Sequence, residues 1–188
     1  MSKNKRVNPN KIPISKDSFD IQQLLTETTQ QNVYRAWVLA LGAFADYYDT
    51  TTESLLHLWE IVNDYTTAIE AYEDISTDLK VVDRVLCRTL PNKNISTEGI
   101  KTQGDLGKLK RRLQENALYA GFCLIAHPLI DKEVFPEERI KDIFDRVYGH
   151  EEAISQKRYT LADLVHNLEN EYRLLVVFKD NNVRLKKI

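Results

Sequence analysis

The feature that most constrains the fold is an internal repeat. Aligned with itself at an offset of 85 residues, the chain shows nine identical pairs without a gap between Tyr34 and Leu79. Chance at ordinary composition would give roughly three. The identical pairs are Tyr34/Tyr119, Leu39/Leu124, Asp46/Asp131, Glu53/Glu138, Val62/Val147, Ala68/Ala153, Ile69/Ile154, Asp78/Asp163 and Leu79/Leu164. A repeat of this period predicts two copies of one unit that pack together and bury each other's apolar faces.

Apolar residues at spacings of three and four predict helices in both copies. The first copy has one long helix, or two broken near residues 28–32, and then two shorter helices. In the second copy we expect a helix from about Gln103 that ends at Pro128, a helix with Pro136 at its first position, and a helix started by a capping box at Thr160 and Asp163. The pattern therefore predicts an all-α protein of about six helices, arranged as two tandem three-helix repeats.

The same pattern divides the chain into five segments. These are a basic flexible arm (1–16), helical repeat 1 (17–90), a linker (91–104), helical repeat 2 (105–178) and a basic tail (179–188). Two alternatives stay open for the C-terminal end. Residues 174–178 and 183–185 suit a short β-hairpin, or equally a fraying helix followed by the tail.

Composition narrows the class of protein. The longest apolar run, residues 36–45, is too short to span a bilayer, and no apolar stretch follows the basic N-terminus to form a secretory signal. Cys87 and Cys123 lie in apolar helical contexts, which predicts free, buried thiols in a reducing compartment. We therefore expect a cytoplasmic protein with no membrane partner.

Charge distinguishes the two copies. Residues 17–90 hold 13 acids and four bases, whereas residues 91–178 hold 14 acids and 13 bases. Copies that keep an apolar frame and diverge in surface charge are more easily explained by different contacts than by one active site used twice. The polar face opposite the Leu55/Trp59/Val62 stripe is then a candidate protein-interaction surface. Its residues are Glu53, His57, Glu60 and Asp64.

A basic cluster in the second copy supports an alternative function. Its residues, Lys101, Lys108, Lys110, Arg111 and Arg112, could hold a phosphate backbone together with the basic termini. The first copy has no comparable cluster, since Gln23, Leu25 and Thr26, which align with Lys108, Lys110 and Arg111, are neutral. This cluster predicts a nucleic-acid-binding regulator as the alternative to a protein-interaction module.

Two His-x-x-Glu pairs are the most concrete candidates for a metal site. His57/Glu60 and His166/Glu169 each place two ligand types on one helix face, as in bundle metal sites. However, the offset relates His57 to Asp142 and not to His166, and His57 lies on the polar face of its helix. We therefore interpret both pairs as solvated side chains and expect no metal, no cofactor and no catalytic residues.

Three short stretches carry a resemblance to a family. They are the Asn-Pro-Asn-Lys-x-Pro-x-Ser start (8–15), Leu-x-x-Leu-Trp-x-x-Val-Asn (55–63) and Asp-Leu-x-x-x-Leu-x-x-Glu-Tyr (163–172). In these the chain resembles uncharacterised small helical proteins encoded by phages and mobile elements of Gram-positive bacteria. The resemblance implies a non-enzymatic accessory protein that acts on a host or phage protein, and it leaves the oligomeric state open.

Overall fold

The fold is a helical assembly with a short C-terminal hairpin. The computed structural model describes residues 21–47, 50–71, 79–88, 100–179 and 182–188. The described residues form α1 (Ile21–Ala45), α2 (Thr52–Ala71), α3 (Leu79–Leu86), α4 (Gln103–Asp131), α5 (Glu137–Ser155), α6 (Leu161–Tyr172), β1 (Leu174–Lys179) and β2 (Asn182–Lys187). The all-α class predicted from the spacing of apolar residues is confirmed. The arm, 1–16, and most of the linker, 91–99, lie outside the described residues.

Helix α1 is continuous, so the alternative with a break at 28–32 is wrong. It lies along α4 and packs against α5 and α6, with few contacts to its own neighbour α2. All residues from Ala36 to Ala45 are buried, because a helix covered on several sides must be apolar all round.

Helix α4 is the second central element, and it packs against α2 and α3. Where it crosses α1, a Cβ placed on Gly121 would lie 2.6 Å from the Cβ of Ala36. The lack of a side chain at Gly121 therefore sets how closely the two longest helices approach.

The two prolines of the second half differ from their predicted roles. Pro128 was expected to end α4, but it lies buried inside the helix, which continues to Asp131. The turn beyond it is closed by the amide of Lys132, which donates to the Pro128 carbonyl at 3.0 Å. Pro136 is the N-cap of α5 and not its first helical residue, and its carbonyl accepts from the amides of Arg139 and Ile140.

Both helix starts that carry Thr-x-x-Asp form capping boxes. Thr160 and Asp163 do so at α6, as predicted, and Thr102 and Asp105 do the same at α4. Hydrogen bonds from the threonine side chain and from backbone amides favour the ionised carboxylate, so the pKa of each aspartate lies below its ordinary value.

One hydrophobic core joins the two halves, and its aromatic residues pair at repeat-related positions. Trp37 and Trp59 meet edge to face, with ring centroids 5.4 Å apart. Phe122 and Phe144, at the corresponding positions 85 residues on, meet in the same manner at 5.8 Å. This correspondence supports the predicted internal repeat.

The C-terminal segment forms the hairpin, which settles the open alternative in its favour. β1 and β2 are antiparallel, with Leu174 opposite Lys187 and Phe178 opposite Val183. Arg173 adopts a left-handed conformation that turns the chain out of α6 into β1. Leu174 and Val183 are fully buried, so the hairpin extends the core over α2.

The prediction of two buried thiols is confirmed for Cys123 and wrong for Cys87. Cys123 is buried in α4, and burial raises its pKa to about 12. Cys87, however, is exposed, because it follows the last residue of α3 at a positive φ of 51°. Among the described residues, no helix combines the length and the apolar character needed to cross a bilayer.

Candidate functional site

The acidic face of α2, defined by Glu53, His57, Glu60 and Asp64, lies at the surface as predicted. All four side chains are exposed, and those of His57 and Glu60 are exposed by 77% and 74%. They follow one another at spacings of four, three and four, which aligns them along a single side of the helix. The structure therefore places the predicted residues together on one accessible ridge.

The hairpin reaches this ridge, which the sequence did not predict. Lys187 of β2 donates to Glu53 with Nζ to Oε1 at 2.6 Å. This hydrogen bond favours the ionised carboxylate and lowers the pKa of Glu53. Strand β2 thus belongs to the edge of the acidic face, although its basic residues suggested a solvated tail.

An apolar pocket of about 360 Å³ opens beside the acidic face. Its described walls come from the end of α1, the first half of α2, the α4–α5 connection and the start of α5, and His57 belongs both to the pocket wall and to the acidic face. The lining residues are Phe44, Tyr47, Thr50, Ser54, Leu55, His57, Leu58, Ile61, Val134, Phe135, Arg139 and Ile143.

Arg139 gives this pocket its charge. Its guanidinium carbon lies over the Phe135 ring at 4.4 Å and over the Tyr47 ring at 4.6 Å. Its Nε atom is buried and has no hydrogen-bond partner. Sequence patterns did not reveal this group, because Phe135 lies four residues before Arg139 but Tyr47 comes from a distant segment with no regular spacing to either.

The basic cluster of α4 is also accessible. Lys101, Lys108, Lys110, Arg111 and Arg112 are all exposed. Between them, Leu109 and Leu113 are buried, at only 5% and 8% exposed. The cluster therefore offers several cations to solvent, four of them from α4 and Lys101 from just before it.

The described part of the fold does not build a metal-binding cluster from either His-x-x-Glu pair. His57 lies 3.9 Å from Glu60, on a face exposed to solvent, and His166 is exposed on α6. Within the described part of the chain, no three His, Cys, Asp or Glu side chains gather as a metal site would require.

A polar cluster that the sequence analysis did not find joins α1 to α5. His150 lies with Nε2 3.2 Å from Oδ2 of Asp46, and its Nδ1 is hydrogen-bonded to the hydroxyl of Tyr159. Arg146 donates to the Asp46 carbonyl at 3.1 Å, and burial raises the pKa of Tyr159. Because these contacts connect the end of α1 to α5 and to the segment before α6, we interpret the cluster as structural.

Comparison with known proteins does not assign the chain to a class: no family model matches it, and neither does any curated protein or solved structure.

Proposed function

We propose that this protein is a non-enzymatic interaction module that binds its partner through the acidic face of α2. The observation that carries the proposal is the alignment of Glu53, His57, Glu60 and Asp64 on one exposed ridge. Carboxylates at a surface favour a partner with complementary positive charge, and the pocket beside them accepts apolar side chains.

The origin of the partner follows from the resemblance described above. The resemblance to small helical proteins of phages and mobile elements implies an accessory protein that acts on a host or phage protein. We therefore take the partner to be a host or phage protein with a basic surface.

Charge reversal tests this proposal. Glu53→Lys, Glu60→Lys and Asp64→Lys together should abolish recovery of the partner from a host lysate. A matched control carries Glu138→Lys, Asp142→Lys and Asp145→Lys, which makes the same charge change on exposed positions of α5. If the α2 variant recovers the same proteins as the native chain, the acidic face is not the binding surface.

The exposed basic cluster supports a second candidate, a nucleic-acid-binding regulator. Each phosphate neutralised by a lysine or arginine releases counterions, so such binding weakens steeply with salt. A mobility shift at low salt that disappears in Lys110→Ala/Arg111→Ala/Arg112→Ala would favour this candidate. Absence of any shift at low salt would eliminate it.

A further inference from the structure

The pocket beside the acidic face has the composition of a small-molecule site. Its volume of about 360 Å³ is at the lower end of the range found for ligand pockets. Phe44, Leu55, Leu58 and Ile143 supply apolar walls. Such walls favour a compact ligand with an apolar body.

Two hydroxyl groups of the wall, those of Thr50 and Ser54, already have partners. Thr50 donates from Oγ1 to the Phe44 carbonyl at 2.8 Å, and Ser54 donates from Oγ to the Thr51 carbonyl at 2.9 Å. Arg139 differs, because no ion pair or side-chain hydrogen bond of Arg139 is found among the described residues. It is therefore a charged donor that these walls leave available to a ligand.

The two rings determine how Arg139 can act. A guanidinium that lies over aromatic rings uses its faces for these contacts, and its N–H groups stay available in the plane. Those groups match the two oxygens of a carboxylate in a bidentate pair. The rings also restrict the side chain, which reduces the entropy lost when a ligand binds.

The charge of the site selects a monoanion. Arg139 is the single permanently charged residue among the described lining residues, so it balances one negative charge. The carboxylates of the acidic face point to solvent, where salt screens them, and they oppose binding less than Arg139 favours it. A phosphate dianion would need further donors, which these apolar walls do not supply.

We propose that this pocket binds a small apolar monocarboxylate, whose carboxylate pairs with Arg139 and whose apolar body lies against Phe44, Leu58 and Ile143. This goes beyond the proposed interaction function and does not rest on it. The acidic-face variant with Glu53, Glu60 and Asp64 changed to lysine should still bind the acid, so the two proposals can fail separately.

Titration calorimetry with 4-phenylbutyrate and its uncharged amide tests the site on the native protein. The acid should bind saturably, and the amide should bind at least about tenfold more weakly, because it cannot form the charge-assisted pair. Equal affinity for acid and amide, or no saturable binding of the acid, would overturn the proposal.

A matched pair of variants tests the role of Arg139. Arg139→Met should weaken binding of the acid at least about tenfold, whereas Arg111→Met, on the exposed face of α4, should leave it unchanged. Unchanged affinity in Arg139→Met would contradict the proposal. If that variant does not fold, the comparison of acid with amide still decides the question.

A peptide identifies the source of the carboxylate. A peptide with a C-terminal phenylalanine carboxylate presents the same chemistry from a protein. Binding of this peptide without binding of 4-phenylbutyrate would overturn the free-acid proposal and assign the pocket to partner recognition.

Discussion

The two halves of the molecule, α1–α3 and α4–α6, make the same kinds of helix contacts with each other. They differ in that the hairpin packs on the first half. α1 packs against α5 and α6 of the other half, and α4 packs against α2 and α3 of the first. The element boundaries also correspond: adding 85 to the bounds of α2 gives 137–156, beside the observed Glu137–Ser155. Each half is therefore covered mainly by the other and not by itself.

Contacts at repeat-related positions indicate a two-fold relation. Ala36 and Gly121, which are 85 residues apart, face each other at the crossing of α1 and α4. Gly42 lies beside His150, and the equivalent pair, His127 and Tyr65, stacks with ring centroids 6.5 Å apart. In a two-fold arrangement, a residue on the axis contacts its own equivalent, and residues away from the axis make contacts in reciprocal pairs. They support a duplicated unit that folds back on its own copy.

The hairpin is where the halves differ. In the first half, the indole nitrogen of Trp59 donates to the Val183 carbonyl of β2 at 2.8 Å. Its equivalent, Phe144, has no donor and packs against Phe122 and Tyr148. A tryptophan is thus used where the hairpin covers the core, and a phenylalanine where it does not.

The largest expected effect comes from emptying the paired aromatic positions. Trp59→Ala and Phe144→Ala should each lower the free energy of unfolding by about 3–5 kcal/mol, because each deletes a fully buried ring from a shared core. Urea denaturation followed by circular dichroism measures this. Since one core joins the halves, each variant should unfold in a single transition. A two-step curve in which one half keeps its native midpoint would contradict the shared core.

The next effect concerns the helix crossing. Gly121→Ala should cost about 1–3 kcal/mol, because its Cβ would overlap that of Ala36 and separate the helices. The double variant Gly121→Ala/Ala36→Gly moves the glycine to the equivalent position and should restore most of the stability. A double-mutant cycle in urea measures the coupling. Additive losses would show that the two positions do not share a crossing point.

The sequence predicted the repeating helices of this fold and left the single C-terminal hairpin as one of two alternatives. Apolar spacing and the offset pairs identified six helices and the exposure of the acidic face, because these depend on local periodicity. The continuation of α4 through Pro128 was missed, because tertiary packing outweighs the local cost of a proline. Arg139 was missed for a related reason: Phe135 lies four residues before it, but Tyr47 comes from a distant segment, and no spacing records that the three meet.

A smaller effect should separate the two tryptophans. Trp59→Phe and Trp37→Phe remove similar volume from adjoining positions, but Trp37 has a buried Nε1 without a partner. Trp59→Phe also leaves the Val183 carbonyl without its donor, so it should cost about 1 kcal/mol more than Trp37→Phe. Thermal and urea unfolding of both variants measure the difference. Equal losses would show that the hairpin contact contributes nothing to stability.

The smallest effect is expected at the ion pair that links the hairpin to the acidic face. Glu53→Gln removes the acceptor of Lys187, but both side chains are largely exposed, so the loss should be smaller than for any variant above. The folded-state pKa of Glu53 lies below its ordinary value of 4.5. The stability that the ion pair contributes is therefore fully present above pH 4.5 and is lost as the pH falls through the lowered pKa of Glu53.

Melting temperatures of the native chain and Glu53→Gln at pH 7 and pH 3, in low and high salt, measure this contribution. The difference should be largest at pH 7 in low salt, and it should shrink in high salt and as the pH falls through the lowered pKa of Glu53, since salt screens the charge and protonation removes it. Glu138→Gln is the matched control, because Glu138 is the repeat-related position and no ion pair joins it to another described residue. If Glu138→Gln lowers the melting temperature as much as Glu53→Gln does, the ion pair with Lys187 does not stabilise the hairpin on α2. The Glu53 carboxylate is then available to a partner.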